Sequence, residues 1–266
     1  MEIVELFKDS LTYPTKQWDK LLILGVLFLI MGVFAILQAF GIVLNQYIAA
    51  DILGIISFIL AVIITLIIYG YTLSIVRKTV NKGDDLPEFD WGRNFVDGVK
   101  VLILSIVYYI IPVIITLIVI YATGAFQHLY QLIAFYAVSG SLAAAPESLL
   151  SAAGASFLTV FIVAAILFII FGLLFLAAKA VLADTESLGS AVNMVDVFKK
   201  IGEISWGNYI LWAILYAIII FILSFVVNLI SAIPVIGLII AFLIIRPYIE
   251  IFAARALGLV YNESKE

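Results

Sequence analysis

Cysteine is missing from this 266-residue chain, and histidine occurs once, as His128. Without thiols there is no disulfide framework and no thiolate metal site, and a lone histidine has no partner for imidazole-based metal chemistry. Charge is scarce as well: Asp, Glu, Lys and Arg make up 12% of the residues, with a formal net charge of −4. No Gly-rich phosphate loop, Ser-His-Asp set or basic nucleic-acid patch occurs. These absences predict a protein without cofactor, metal site or nucleic-acid partner, and not an enzyme.

What the chain has instead is apolar length. Hydrophobic residues make up 65% of it, and its mean hydropathy of +1.26 is beyond that of soluble domains. A helix crosses the roughly 30 Å hydrocarbon core in about 20 residues. Six runs qualify: 21 to 44, 52 to 76, 101 to 122, 157 to 182, 208 to 230 and 235 to 256. They are continuous and do not alternate, which excludes a transmembrane β-barrel. A polar segment precedes the first run and no small-residue cleavage site follows it, so it reads as a retained span. The expectation is an all-α, polytopic integral membrane helical bundle, one transmembrane domain over residues 1–266.

Lys and Arg then give the sidedness. Lys8, Lys16 and Lys20 precede the first span; Arg77, Lys78, Lys82, Arg93 and Lys100 separate the second and third. Lys179, Lys199 and Lys200 follow from the end of the fourth span, and Arg246, Arg255 and Lys265 lie in or after the sixth. The opposite loops, 45 to 51, 123 to 156 and 231 to 234, hold neither residue type. This predicts a plasma-membrane protein with both termini cytoplasmic. Trp18, Trp91, Trp206 and Trp212 sit near the cytoplasmic ends of outgoing spans, as an aromatic belt requires.

The spans read as three hairpins. Ile67-Ile68-Tyr69-Gly70, Ile169-Ile170-Phe171-Gly172 and Ile244-Ile245-Arg246-Pro247 recur at matched depth in the returning spans, before Arg77, Lys179 and Arg255. Gly70, Gly172 and Pro247 are accordingly expected to break their helices. Chance similarity among Ile-rich spans competes with this repeat, because Ile111-Pro112-Val113-Ile114 and Ile233-Pro234-Val235-Ile236 match as well in spans of opposite direction. Ahead of each outgoing span lies a segment with apolar and charged residues at helical spacing. They are Ile3 to Lys8, Trp91 to Lys100 and Val192 to Ile201, and each predicts an amphipathic cytoplasmic helix in the headgroup plane or a cap on the following span.

The most distinctive segment is Gly83-Asp84-Asp85-Leu86-Pro87-Glu88-Phe89-Asp90-Trp91-Gly92, followed by Phe95 and Gly98. Together with Tyr13-Pro14 and Tyr71 to Arg77, it resembles an uncharacterised domain-of-unknown-function family of polytopic membrane proteins, frequent in methanogenic archaea and present in bacteria. The resemblance covers roughly residues 10 to 115. The plan is also similar to the membrane domain attached to some glycerophosphodiester phosphodiesterases, without their soluble domain. The resemblance to the domain-of-unknown-function family implies an archaeal plasma membrane and no assigned activity. Asp84, Asp85 and Asp90 have the spacing with which prenyl-chain synthases hold magnesium. There is one such motif where those enzymes use two, and Pro87 biases Leu86 away from helix. A turn around Asp84 to Pro87 is the simpler reading, with Glu88, Asp90 and Trp91 completing a cytoplasmic contact loop.

Arg246 stands apart because it falls near the centre of the sixth span, where an exposed cation costs about 2.5 to 3.5 kcal/mol on insertion scales. Pro247 lacks the amide that would bond to the carbonyl of Leu243, and Glu250, four residues on, is placed to pair with Arg246. Tyr69, Tyr108, Tyr109 and Tyr248 complete a candidate intramembrane polar site; a structural Arg–Glu pair or an arginine reaching the interface accounts for the same residues. In the long segment 123 to 156, Phe126, Leu129, Tyr130, Leu132, Ile133 and Tyr136 predict a helix, Ser141 to Glu147 a second short one, and His128 is read as a polar filler. Three functions fit. A non-enzymatic membrane protein organising lipid or a partner, either a second copy of itself or another membrane protein, leads; a transporter or channel for a small solute or lipid follows; a lipid-modifying enzyme using the acidic loop comes last.

Overall fold

A computed structural model describes residues 2–43, 47–233 and 235–265, and the side chains of all of these except 34–36, 38–43, 47, 49 and 50. Residue 44 of the first expected span, positions 45 and 46 of the first outer loop and Pro234 lie outside the described residues. The chain is helical, at 89% helix, with no strand among the described residues. In order come α1 (Ile3–Thr12), α2 (Trp18–Val43), α3 (Tyr47–Val80), α4 (Trp91–Ala122), α5 (Ala125–Ser139) and α6 (Glu147–Thr185). They are followed by α7 (Leu188–Val192), α8 (Met194–Ile204), α9 (Trp206–Ser231), α10 (Ile236–Ile240) and α11 (Arg246–Asn262).

Five helical stretches among the described residues are long and apolar enough to cross a membrane: Asp51–Val80, Trp91–Ala122, Glu147–Thr185, Trp206–Ser231 and Ile236–Lys265. The protein is therefore of the multi-pass membrane class. At 39 residues α6 is about 58 Å long, roughly twice the hydrocarbon thickness, so it projects beyond the core.

Several expectations give way to longer helices. Trp91 opens α4 directly, so the segment 91–100 is the first turns of a span and not a separate amphipathic helix. Glu147 begins α6, so the short helix expected near Ser141 is the start of the longest one; the carbonyl of Pro146 accepts from Leu149 and Leu150 N–H. Helices α3 and α6 run unbroken through Gly70 and Gly172, since a lone glycine costs a helix about 1 kcal/mol, too little to end it when packing supports both sides. Pro112 likewise lies within α4. Pro247 alone accompanies a disturbance, because the chain passes through a π-helical turn, Ala241–Ile245, immediately before α11.

Two compact units result. The first comprises 1–104 and 176–266, the second 105–175. In the first, α11 packs against α1, α2, α3 and α9. An aromatic column runs through its core: Phe7 to Phe252 at 6.4 Å, Phe252 to Tyr216 at 6.3 Å, Tyr216 to Trp212 at 5.0 Å and Trp212 to Tyr209 at 5.6 Å. Stacked and tilted rings at these spacings add to the area they bury. The short α8 buries Val197, Ile201 and Ile204 and leaves Val195 and Phe198 exposed. In the second unit, the Tyr109 ring lies 6.0 Å from Phe168 and 5.5 Å from Phe175, and His128 Nδ1 is 3.0 Å from Ser156 Oγ.

Gly70 explains how α3 and α4 cross so closely. A Cβ there would overlap the Asn94 carbonyl, and one on Gly98 would overlap the Leu66 carbonyl, so each helix offers a glycine to the other's backbone. Beside Gly172 the nearest atom is the Tyr109 hydroxyl at 3.6 Å, ordinary contact. Gly70→Ala should therefore destabilise the protein by about 1–3 kcal/mol, whereas Gly172→Ala should be tolerated. Thermal unfolding in detergent checks this, and equal melting of the two variants contradicts it.

Candidate functional site

Two polar centres lie in the first unit. One is the loop between α3 and α4, which closes on a buried arginine of α11. Arg255 is 5% exposed, and its guanidinium meets Asp9 of α1 through Nε to Oδ1 at 2.7 Å and Nη2 to Oδ2 at 3.2 Å. The same group donates to Asp84 Oδ1 at 2.9 Å and to the Gly83 carbonyl at 2.7 Å, and it stacks 4.4 Å over the Tyr13 ring. Five fixed donors on a planar group allow it to engage a helix, a loop and a ring at once.

The rest of the loop is held as firmly. Lys16 reaches Asp84 at 2.9 Å, Lys78 reaches Asp85 at 2.6 Å, and Lys20 reaches Glu88 at 2.6 Å and the Leu86 carbonyl at 3.1 Å. The Tyr13 hydroxyl donates to the Asp85 carbonyl at 2.7 Å, and burial pushes its pKa up, so it stays a donor. Leu86 is fully buried, and Phe89 stacks on Tyr71 at 4.4 Å and contacts Trp91 at 4.7 Å. Tyr71 donates to the Pro87 carbonyl, and Asp90 Oδ1 accepts from the Arg93 N–H as a helix cap on α4. Beside it, Arg77 pairs with the buried Asp97 at 2.8 Å and with Glu186 at 3.1 Å, tying α3, α4 and the end of α6. Among the described residues, no group of three or more acidic or histidine side chains is arranged to hold a metal ion.

The second centre is a cleft of about 250 Å³ lined by Phe28 of α2, Ser224, Val227 and Asn228 of α9, and Arg246, Ile249 and Glu250 of α11. Arg246 starts α11 directly after the π-helical turn, is exposed, and lies 4.8 Å over the Phe242 ring. Among the described residues no carboxylate comes within 4.0 Å of it, so the expected Arg246–Glu250 pair does not form. Glu250 instead sits within electrostatic reach of Arg246, Lys179, Tyr69 and Tyr216. Lys179 donates to Thr72 Oγ1 at 3.0 Å.

The sequence-selected polar residues are thus partly gathered and partly dispersed. Arg246, Glu250 and Tyr69 share one neighbourhood. Tyr248 turns to α1 and donates to the Leu11 carbonyl at 2.6 Å, while Tyr108 and Tyr109 belong to the second unit. Ser224 and Asn228, four residues apart on an otherwise apolar span, complete the cleft; that spacing was visible in the sequence. Lys179 and Arg255 look like ordinary cations at span ends, and their roles follow from neighbours distant along the chain.

Lys16 holds the Asp84 carboxyl below its usual pKa by hydrogen bonding, with Arg255 adding to it, and Lys78 does the same for Asp85. Both carboxylates are exposed, so water screens them. Groups with depressed pKa stabilise the fold above the ordinary carboxylate range, about 4, and lose that contribution as pH falls below it. Arg255→Ala should cost roughly 3 kcal/mol, the lower end for breaking a buried pair, whereas Lys16→Met with Lys78→Met, which removes the main partners of Asp84 and Asp85, should flatten the acid-side loss of stability. Melting curves of parent and variants between neutral and acid pH measure this; an unchanged acid-side loss in the lysine variant removes these two carboxylates as its cause.

Residues 52–232 match a family described as a protein of unknown function, DUF4013. The match takes in the acidic loop, Lys179, Ser224 and Asn228 and ends before Arg246 and Arg255. No curated protein and no solved structure matches the chain. With more than half of its length covered by that match, the chain belongs to the DUF4013 family.

Proposed function

We propose that this is a non-enzymatic membrane protein whose Arg246 cleft binds an anionic group, carboxylate or phosphate, as a site for solute transport. The observation that carries the reading is an arginine without a carboxylate partner, ten residues or about 15 Å along the last candidate span, facing Ser224, Asn228 and Glu250. A cation at that depth of a span marks a pathway or binding site because placing it there is costly unless a polar cavity or a partner meets it. The π-helical turn before it supports the same reading, since such turns within a continuous helix are frequent at functional sites. Lipid organisation is the second reading, supported by the same arginine, which would draw a lipid phosphate to the cleft. The carboxylates of the acidic loop are occupied by Lys16, Lys78 and Arg255, which favours the lipid-modifying enzyme least.

The finer topology belongs to this proposal. Trp18–Val43 is taken as the first of six spans, paired as three hairpins, with α1 and α8 as amphipathic helices in the headgroup plane and both termini in the cytoplasm. The absence of cysteine makes this easy to test. Lys82→Cys should react with an impermeant maleimide only from the cytoplasmic side and Ser141→Cys only from the outer side; the reverse pattern overturns the orientation.

For the site, a charge-assisted hydrogen bond contributes about 1.5–3 kcal/mol, so Arg246→Ala should weaken binding of the anion about 10- to 100-fold. The probes are inorganic phosphate and acetate, followed by calorimetry in detergent and by flux in proteoliposomes. Loss of both binding and flux in the variant supports transport; retention of an anionic phospholipid by Arg246 without flux supports lipid organisation. Equal behaviour of parent and variant towards every probe rejects the site.

A further inference from the structure

Glu250 is half-buried in the wall of the Arg246 cleft, four residues or one helical turn of about 6 Å beyond the arginine. Among the described residues its carboxylate makes no hydrogen bond and meets no cation within 4.0 Å, and both of its oxygens keep open surface. The groups facing it come from four other helices. α3 offers the phenol of Tyr69, α9 that of Tyr216, α6 the ammonium of Lys179, and α2 the apolar Phe28. From α1 and the turn after it, Asp9 and Lys16 are engaged elsewhere, at Arg255 and Asp84. Lys179 donates to Thr72 Oγ1 at 3.0 Å and forms no direct ion pair with Glu250. Two cations and one carboxylate, Arg246, Lys179 and Glu250, give this neighbourhood one net positive charge among the described residues.

We infer, resting on the transport reading of the Arg246 cleft, that the cleft takes a singly charged anion together with one proton, and that Glu250 carries the proton. Ionised, the carboxylate stands one turn from the anion that Arg246 attracts and repels it. Protonated, it repels nothing, and its O–H becomes a further donor. Coupling between two sites is reciprocal, so each of proton and anion favours the binding of the other. Because the two charges cancel, loading both leaves the net charge of the neighbourhood as it was, and no further charge is placed in a low-dielectric setting. A doubly charged anion would need two protons, and the cleft is lined by one carboxylate. The proton balance closes: Glu250 takes a proton from water on the side where the anion enters and returns it to water on the side where the anion leaves, with no bond of the anion broken.

The probe is methanesulfonate, the anion of a strong acid, which stays ionised at every pH used and takes up no proton itself. Calorimetry on the full chain in detergent should show its affinity rising as pH falls, by about 5- to 150-fold between the limits where Glu250 is ionised and protonated. Repeating the titration in buffers of different ionisation enthalpy should show uptake of up to one proton per anion bound. Glu250→Gln should hold the affinity at its acid limit at every pH and abolish the uptake, whereas Glu250→Asp, which keeps a carboxylate, should keep both the uptake and the pH dependence. In proteoliposomes an acid-outside gradient should drive accumulation of methanesulfonate by the parent and not by Glu250→Gln. Parent protein that binds the anion equally at all pH, without proton uptake, overturns the coupling and leaves the Arg246 site standing. A pH dependence that survives in Glu250→Gln also overturns it, by placing the proton elsewhere. No binding by the parent at any pH rejects the Arg246 site and the coupling together.

Discussion

The Arg255 guanidinium is the interaction on which the first unit depends. It lies at the junction of α1, α3, α11 and the acidic loop, with Asp9, Asp84, the Gly83 carbonyl and the Tyr13 ring around it. A buried arginine is costly unless its donors and charge are met. That requirement fixes where the loop folds back, and the loop in turn presents the carbonyls of Leu86 and Pro87 to Lys20 and Tyr71. The acidic residues Asp84 and Asp85, which at first sight suggest a metal motif, are held by cations from three different segments. Their chemistry is closure of the fold.

Charge inside the apolar helices follows a different rule. At the loop, carboxylates and cations stand in roughly matched numbers and water screens what remains. In the Arg246 cleft the partners are spaced apart: Arg246 rests on Phe242, Lys179 donates to Thr72, and Glu250 is within electrostatic reach of both without a direct ion pair among the described residues. Separated charges in a low-dielectric setting are expensive to keep and respond strongly to an incoming ion. The π-helical turn before Arg246 and the missing amide of Pro247 allow α11 to begin in the middle of a span. The contrast between a closed, saturated network and an open, unsaturated one separates structural charge from candidate binding charge.

Composition and run length made the helical membrane class legible, and the alternation of Lys and Arg between loops supplied the orientation proposed above. The acidic loop carried the family resemblance, which the match over 52–232 shows independently. Glycines were less transparent. Gly70 looked like a breaker because glycine is a poor helix former, yet it serves the crossing of α3 and α4, where only the absence of a Cβ lets Asn94 approach. Pro247 fared better, since a missing amide disturbs a helix whatever surrounds it.

Arg246 was singled out by depth alone, a quantity counted along one helix. Arg255 was passed over because at the end of a span it looks like any cation reaching for water. Which of the two becomes saturated depends on residues more than 150 positions away, Asp9 and Asp84 for one and Phe28 for the other. The sequence alone determined that this chain folds as apolar helices, because the bilayer leaves a backbone few other ways to satisfy its hydrogen bonds. Tertiary structure decided which charges are neutralised and which face a cavity, because that is set by distances between segments that no local pattern encodes.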